Sequence, residues 1–244
     1  AKNAMNAAII EGLLKICAHL KGRGDLRALV LRGEGQTFCA GGDLKEFASW
    51  AMTPEPDAGK PDPIAVSNRR LGDLLLALDA LPQAVVSVVE GASFGGGMGF
   101  VAVSDVVIAA EDAKFSLSEA TLGLTPAQIG PFVVRKLGLF EARRLAVTGA
   151  RFSSAEALRV GFVSRVAADV DAALAECLTE IGRCEPSAIA ATKRIFNASA
   201  GAVGPMLLDA ASFEFAALLR GPGLKGAAAF AQKQPAPWVE VYDA

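Results

Sequence analysis

Two glycine turns and one glutamate carry the chemistry this sequence can offer. "FCAGGD" (38–43) puts Gly41 and Gly42 after an apolar stretch and before Asp43, a residue suited to capping a helix. "SFGGGMGF" (93–100) repeats the plan: Gly95, Gly96 and Gly97 follow "AVVSVVEGA" and open a further helix. Backbone N–H groups at such turns lack partners inside the helix and point outward. Two of these ends brought together would offer two donors to one oxygen. That is the geometry of an oxyanion hole, where one donor lowers a barrier by about 3 kcal/mol. The third element is Glu119, set among Leu117, Ala120, Leu122 and Leu124. A carboxylate in apolar surroundings has its pKa raised toward neutrality and can serve as base and then as acid. Each feature also has a plainer explanation. Glycines allow tight strand-to-helix turns without any ligand, and for either turn alone that reading is favoured. A glutamate at a strand end commonly faces solvent.

Other chemistries find little support. With 244 residues, 52% of them hydrophobic, the chain can bury a large core as one domain or a domain with an appendage. A net charge of −2 suggests no nucleic-acid partner. No apolar run approaches the roughly 18 residues of a membrane span. The opening "AKNAMNAAIIEGLLK" is no basic and apolar signal segment, and it starts inside a helix entry, as though clipped. Cys17, Cys39, Cys177 and Cys184 form no CxxC pair and read as free thiols of a reducing, cytoplasmic compartment. His19 is the one histidine, so no metal site and no serine triad is expected. "GGGMG" has the wrong spacing for a dinucleotide fingerprint, and no phosphate-binding GxxxxGKS is present. Acid–base work near neutral pH therefore falls to a carboxylate.

These residues need a scaffold, and the pattern around them alternates strand with helix. Ile9, Ile10, Leu13, Leu14 and Ile16 recur at helical spacing. "RALVLRG" reads as a buried strand, "SNRRLGDLLLALDAL" as a helix, "QAVVSVVEG" as a strand, and "SDVVIAAEDAKFSLS" as strand material. The proline-rich "MTPEPDAGKPDP" between them reads as a loop within one domain. Beyond Leu139 only helices are expected, including "LFEARRLAVTG", "SSAEALRVG" with a serine cap, "SAIAATKRIFNASA" and "GPMLLDAASFEFAALLR". The class is α/β with covered sheets.

"FCAGGDLKEF", "EGASFGGGMGF", "SDVVIAAEDAKFSLSEATLGLTP" and "LAVTGARFSSAEALRVGFVSRV" resemble the crotonase, or enoyl-CoA hydratase/isomerase, superfamily. The resemblance runs in order from "KNAMN" to "FAQK", and it implies that the family's first strands are missing before Ala1. It implies a superhelix of strand–strand–helix turns over 1–185 and a C-terminal helical region over 186–244 that builds a homotrimer or hexamer. It also implies an acyl-CoA thioester as substrate and no resident cofactor. The oxyanion donors would be the N–H groups of Ala40 and Gly96, with Glu119 as acid–base. The backbone near Cys39, Gly42, Asp43 and Leu44 would line the adenine pocket. Lys2 would lie near the CoA phosphates, and Phe230 and Lys233 would reach the CoA of a neighbouring subunit.

One departure bears on the reaction. Family hydratases carry two glutamates; the second matches Glu119, and the first falls at Gly99. Loss of that carboxylate is expected to open volume beside the acyl chain, with Gln128 a polar neighbour. "LTPAQIGPFVVRKLGL" and "FAQKQPAPW" look most like the methylglutaconyl-CoA and isohexenylglutaconyl-CoA hydratases. Hydration of a 3-branched 2-enoyl-CoA is therefore the favoured expectation. An enoyl-CoA isomerase using Glu119 alone is the runner-up, and a non-catalytic acyl-CoA binder stands third. Arg135, Lys136, Arg143 and Arg144 are candidates to meet a substrate carboxylate, though on helices a solvated role is the commoner one.

Overall fold

The computed structural model describes residues 2–43, 45–46, 49, 54, 56–199, 225, 229, 232 and 234–239. In chain order its regular elements begin with α1 (Ala7–Leu20), β1 (Ala28–Arg32), α2 (Pro63–Asp79), β2 (Ala84–Val89) and β3 (Ala92–Phe94). Next come α3 (Gly96–Val103), β4 (Val106–Ala110), β5 (Lys114–Ser116), a 3₁₀ turn over Glu119–Leu122, and α4 (Gly130–Thr148). The series ends with β6 (Phe152–Ser153), α5 (Ser154–Arg159), β7 (Arg165–Ala167), α6 (Val170–Gly182) and α7 (Pro186–Ala198).

The strands form two sheets. The longer strands form a parallel sheet in the order β1-β2-β4-β7, in register at Val30↔Val86, Val86↔Val106 and Ile108↔Arg165. The short strands form a second sheet, β3-β5-β6. Here β3 and β5 run parallel, and β5 meets β6 antiparallel at Phe115↔Phe152. β2 is "AVVSVV", buried at every position, which is the composition of a strand covered on both faces. Each repeat is a strand, a corner, a short strand and a helix. The first corner turns at Gly91, whose φ of +60° suits glycine. The chain then runs through β3 into α3. The second passes from β4 to β5 and delivers Glu119 at the start of the 3₁₀ turn.

α3 is buried along nearly its whole length, which an amphipathic helix could not tolerate and "GGMGFVAV" can. Its polar follower Ser104 is also buried, and its hydroxyl is satisfied by Ser87 Oγ at 2.8 Å and the Phe100 carbonyl at 2.8 Å. Phe115 stacks on Phe152 at 5.6 Å and meets Phe162 edge-on, closing the core behind the short sheet. Caps match the residues at the helix starts. Asn6 accepts from Ile9 N–H, Asp62 from Ile64 N–H, and Ser153 from Glu156 N–H. α4 breaks at Gly138, where φ +74° and ψ 163° interrupt the helix.

Two expectations need correction or restriction. The stretch 104–118, read as strand material, is two strands in different sheets. Strands do not end at Leu139, because β6 and β7 follow and β7 completes the long sheet. The expected helix over 204–220, together with Leu44, Phe230 and Lys233, lies outside the described residues. α7 is joined to the strand layer: Lys193 Nζ donates to the Gln83 carbonyl at 2.9 Å and to Asp105 Oδ2 at 2.5 Å. All four cysteines are free thiols, three of them buried, and His19 meets Arg23 Nη1 at 3.2 Å on the surface. Among the described residues no helix is long and apolar enough to cross a membrane.

Candidate active site

The two glycine turns meet. Cys39 N–H donates to the Ala92 carbonyl and Phe94 N–H to the Cys39 carbonyl, both at 2.9 Å, so the first turn is stitched along β3. The other side of that turn is held by the 4–6 segment. Met5 N–H donates to the Gly41 carbonyl at 2.7 Å and Asp43 N–H to the Met5 carbonyl at 2.9 Å. Gly95 N–H is anchored on the Ser116 carbonyl at 3.0 Å, which ties the second turn to the strand that leads to Glu119. Gly41 has φ +103° and Gly95 has φ +48°, conformations that exclude ordinary side chains.

Gly95 is the hinge of the arrangement. A methyl group placed on it would lie 3.3 Å from Glu119 Oε1, 3.5 Å from Gly41 Cα and 3.9 Å from Gly42 N. The carboxylate and both turns therefore border one small space. Gly96 follows as the first residue of α3, where no side chain caps the helix, and among the described residues no acceptor meets its N–H. The sequence singled out Gly96; the closest approach belongs to its neighbour Gly95. The positive φ required there leaves no signal beyond the glycine itself.

Glu119 is half-buried, and its Oε2 is buried with no hydrogen-bond partner among the described residues. Burial pushes its pKa above the ordinary carboxylate value, with a backbone hydrogen bond opposing in part. A buried oxygen without a donor favours the protonated form and leaves a lone pair to accept a proton when ionised. Leu122 and Leu124, expected beside it, are exposed. The Arg151 guanidinium lies 5.2 Å over the ring of Phe94, the residue before Gly95.

Other expected positions fall differently. Ala40 N–H is not free: it donates to the Lys2 carbonyl at 3.1 Å. Its use by a ligand oxygen requires that carbonyl to be displaced or the bond shared. Lys2 itself has φ +50° and an exposed side chain. Cys39 is buried, burial raises its thiol pKa, and its main-chain N–H is already taken by the Ala92 carbonyl. The Asp43 amide is taken by Met5, and its Oδ1 accepts from Lys45 N–H at 2.8 Å. Gly42 forms a bridge with Met5.

Gly99 does not open volume. A methyl group there would stand 2.7 Å from Ile129 Cγ2 and 3.0 Å from Leu75 Cδ1, both fully packed side chains. The place of a second carboxylate is filled with hydrocarbon, supplied by α2 and by the turn before α4. Gln128 lies over Gly72 of α2, where a methyl group would stand 2.1 Å from its Oε1. The four cations over 135–144 also have other surroundings. Arg135 pairs with Asp79 at 2.5 Å, Lys136 Nζ donates to the Ser104 carbonyl at 2.7 Å, and Arg144 binds Glu141 and Glu156. Arg143 is exposed on the same helix. A cleft of about 300 Å³ lined by Lys21, Arg23, Arg27, Gln83 and Glu185 includes none of the glycine-turn residues.

Comparison with known proteins agrees with this architecture. The family model described as enoyl-CoA hydratase/isomerase matches residues 1–241. An enoyl-CoA hydratase/isomerase structure from Marinobacter aquaeolei superposes with a TM-score of 0.93 and 39% identity, covering 98% of this chain and 92% of that one. Pseudomonas aeruginosa AtuE superposes with a TM-score of 0.91 and 44% identity, covering 97% and 91%. Enoyl-CoA hydratase AFT6-1 of Alternaria alternata is 30% identical over 79% of this chain, and the match spans 62% of its own length. The two sheets and their helices are thus the mixed α/β fold shared by these structures.

Proposed function

The chain belongs to the enoyl-CoA hydratase/isomerase family, and we propose that it adds water across the 2,3 double bond of an acyl-CoA thioester. The observation that carries this reading is the meeting of Glu119, its pKa raised, with the two glycine turns at Gly95. In the first step ionised Glu119 takes a proton from water as the water oxygen bonds to C3. Electrons of the double bond move to the thioester oxygen, which the Gly96 N–H stabilises, joined by Ala40 N–H once the Lys2 carbonyl gives way. In the second step the carboxyl group returns the proton to C2 and the thioester carbonyl reforms. One carboxyl group thus serves both steps, and one water is added in all.

The acyl group is proposed to be branched at C3 and to bear a second carboxylate, as in methylglutaconyl- or isohexenylglutaconyl-like esters. Leu75 and Ile129 support the branch, because they present methyl groups where a charged side chain would otherwise stand. The same lone carboxyl group supports a second reading, in which Glu119 moves a proton between C4 and C2 and shifts the double bond. Homotrimers or hexamers are the proposed assembly, and exposed Phe140, Val147 and Phe196 are apolar surface of the kind such contacts cover.

Loss of enoyl-thioester absorbance across straight, 3-methyl and 3-methyl dicarboxylic esters tests the reaction. Hydration predicts oxygen from labelled water in the product. Isomerisation predicts solvent deuterium without added oxygen. Full turnover by Glu119→Gln would end the mechanism.

A further inference from the structure

Arg135, Lys136 and Arg144 of α4 are engaged by Asp79, the Ser104 carbonyl, Glu141 and Glu156, but another cation lies over Gly72 of α2. A methyl group on Gly72 would fall 2.1 Å from Gln128 Oε1 and 2.5 Å from Arg69 Nη1. Gly72 is buried in the middle of α2, where glycine weakens a helix relative to alanine. Its missing side chain leaves the space into which both polar groups fold. We infer that Arg69 and Gln128, brought together over Gly72, form the subsite for a carboxylate carried by the acyl chain. This rests on the acyl-CoA reading above.

The position follows from two adjacent layers. Gly99 lies one helical turn beyond Gly96 and packs on Leu75 and Ile129. Gly72 is one turn before Leu75, and Gln128 immediately precedes Ile129. The Arg69–Gln128 pair is therefore the next layer outward from the hydrocarbon wall. A chain leaving the oxyanion donors along that wall meets apolar methyl groups first and a guanidinium second. A planar, five-donor guanidinium suits a carboxylate, and the Gln128 amide adds a neutral donor when its NH₂ faces the ligand.

Arg69 is not bound irreversibly elsewhere. It pairs with Asp73 at 2.9 Å, with both side chains over a third exposed, a weak i,i+4 contact in water. Asp73 is also approached by Arg70 Nη1 at 3.5 Å, so it keeps a cationic neighbour if Arg69 turns to a ligand. Arg70 in turn is held by Glu11.

Binding of two saturated, unreactive esters, glutaryl-CoA and butyryl-CoA, to the full chain by calorimetry tests the subsite without turnover. The protein is expected to prefer glutaryl-CoA by about 10-fold, the effect of one charge-assisted contact. Arg69→Gln should reduce that ratio to near one, Arg69→Lys should retain part of it, and Gln128→Leu should reduce it by a smaller factor. Equal affinity for the two esters, or an unchanged ratio in Arg69→Gln, overturns the assignment. Turnover of the unsaturated esters is read separately. Preference without turnover removes the hydration reading and leaves the subsite; turnover without preference does the reverse.

Discussion

Glu119 and Glu156 are both partly exposed glutamates at the start of a helical segment, and the structure treats them in opposite ways. Glu156, in the first turn of α5, is gripped by Arg159 at 2.6 Å and Arg144 at 2.8 Å, and these hold its pKa down to about 2. Glu141 shares both arginines, so the four side chains form one exposed network. Glu119 has no cation in contact among the described residues, one buried oxygen without a donor, and a pKa moved upward by burial. A carboxylate that only holds helices together is paired and kept ionised. One that must gain and lose a proton is left unpaired in apolar surroundings. Unpaired burial costs stability, which an arrangement serving the fold alone would not require.

The largest expected effect is on turnover. Glu119→Gln removes the proton carrier and should lower kcat by roughly 10²–10⁴-fold, the usual contribution of general acid–base catalysis. Steady-state assay on an enoyl-CoA ester reads this directly. Next comes an attempt to give Glu119 the partner it lacks. Gly99→Glu drives a carboxylate against Ile129 and Leu75, where a Cβ alone already meets Cγ2 at 2.7 Å. Overpacking and an unpaired buried charge should destabilise the fold by about 3 kcal/mol, with no gain in hydration rate. A denaturant titration measures the loss. A stable and faster Gly99→Glu enzyme would show that the hydrocarbon wall yields easily and is no fixed part of the site.

Glu119→Gln should also change stability, in the opposite direction to activity. Its raised folded-state pKa means that the native protein holds a proton that the unfolded chain has already released. Stability is then lost as pH rises from the ordinary carboxylate range through the raised value. Removing the charge should raise Tm at pH 8. The gain should shrink as the pH falls through that window. Melting curves of the two proteins across pH check the sign.

Much of this arrangement could be read along the chain, and what could not be read has physical causes. α1 and α2 follow from runs long enough to show helical spacing, β1 and β2 from short continuous apolar runs, and α3 from the glycines that open it. β3, β6 and β7 are two or three residues each, too short for alternation to appear, and only their sheet neighbours define them. Glu119 and the glycine turns stood out by residue type, although Leu122 and Leu124, read as apolar neighbours of the carboxylate, are exposed. The filling of Gly99 was not legible, since Leu75 and Ile129 come from separate segments and meet it only in the folded chain. The Lys2 carbonyl on Ala40 N–H and the reach of Gln128 to Gly72 escaped for the same reason. A backbone amide is named by sequence, but what it points at is decided by tertiary structure.

The smallest expected effect is the other half of the comparison. Glu156→Gln breaks the contacts to Arg144 and Arg159, yet these side chains are solvated and exposed ion pairs are weak and screened by salt. Its kcat/KM should stay within about twofold of the parent, because no group of this network contacts the glycine turns. The depressed pKa gives the pairing a definite pH window. Its contribution is present above the ordinary carboxylate range and disappears as pH falls toward about 2. Any Tm difference between parent and variant should therefore be greatest near neutrality in low salt, and close on adding salt or acid. Melts at two salt concentrations and several pH values, run beside turnover assays, separate the two carboxylates. A Glu156→Gln protein as inactive as Glu119→Gln would mean that pairing does not distinguish structural from chemical carboxylates in this molecule.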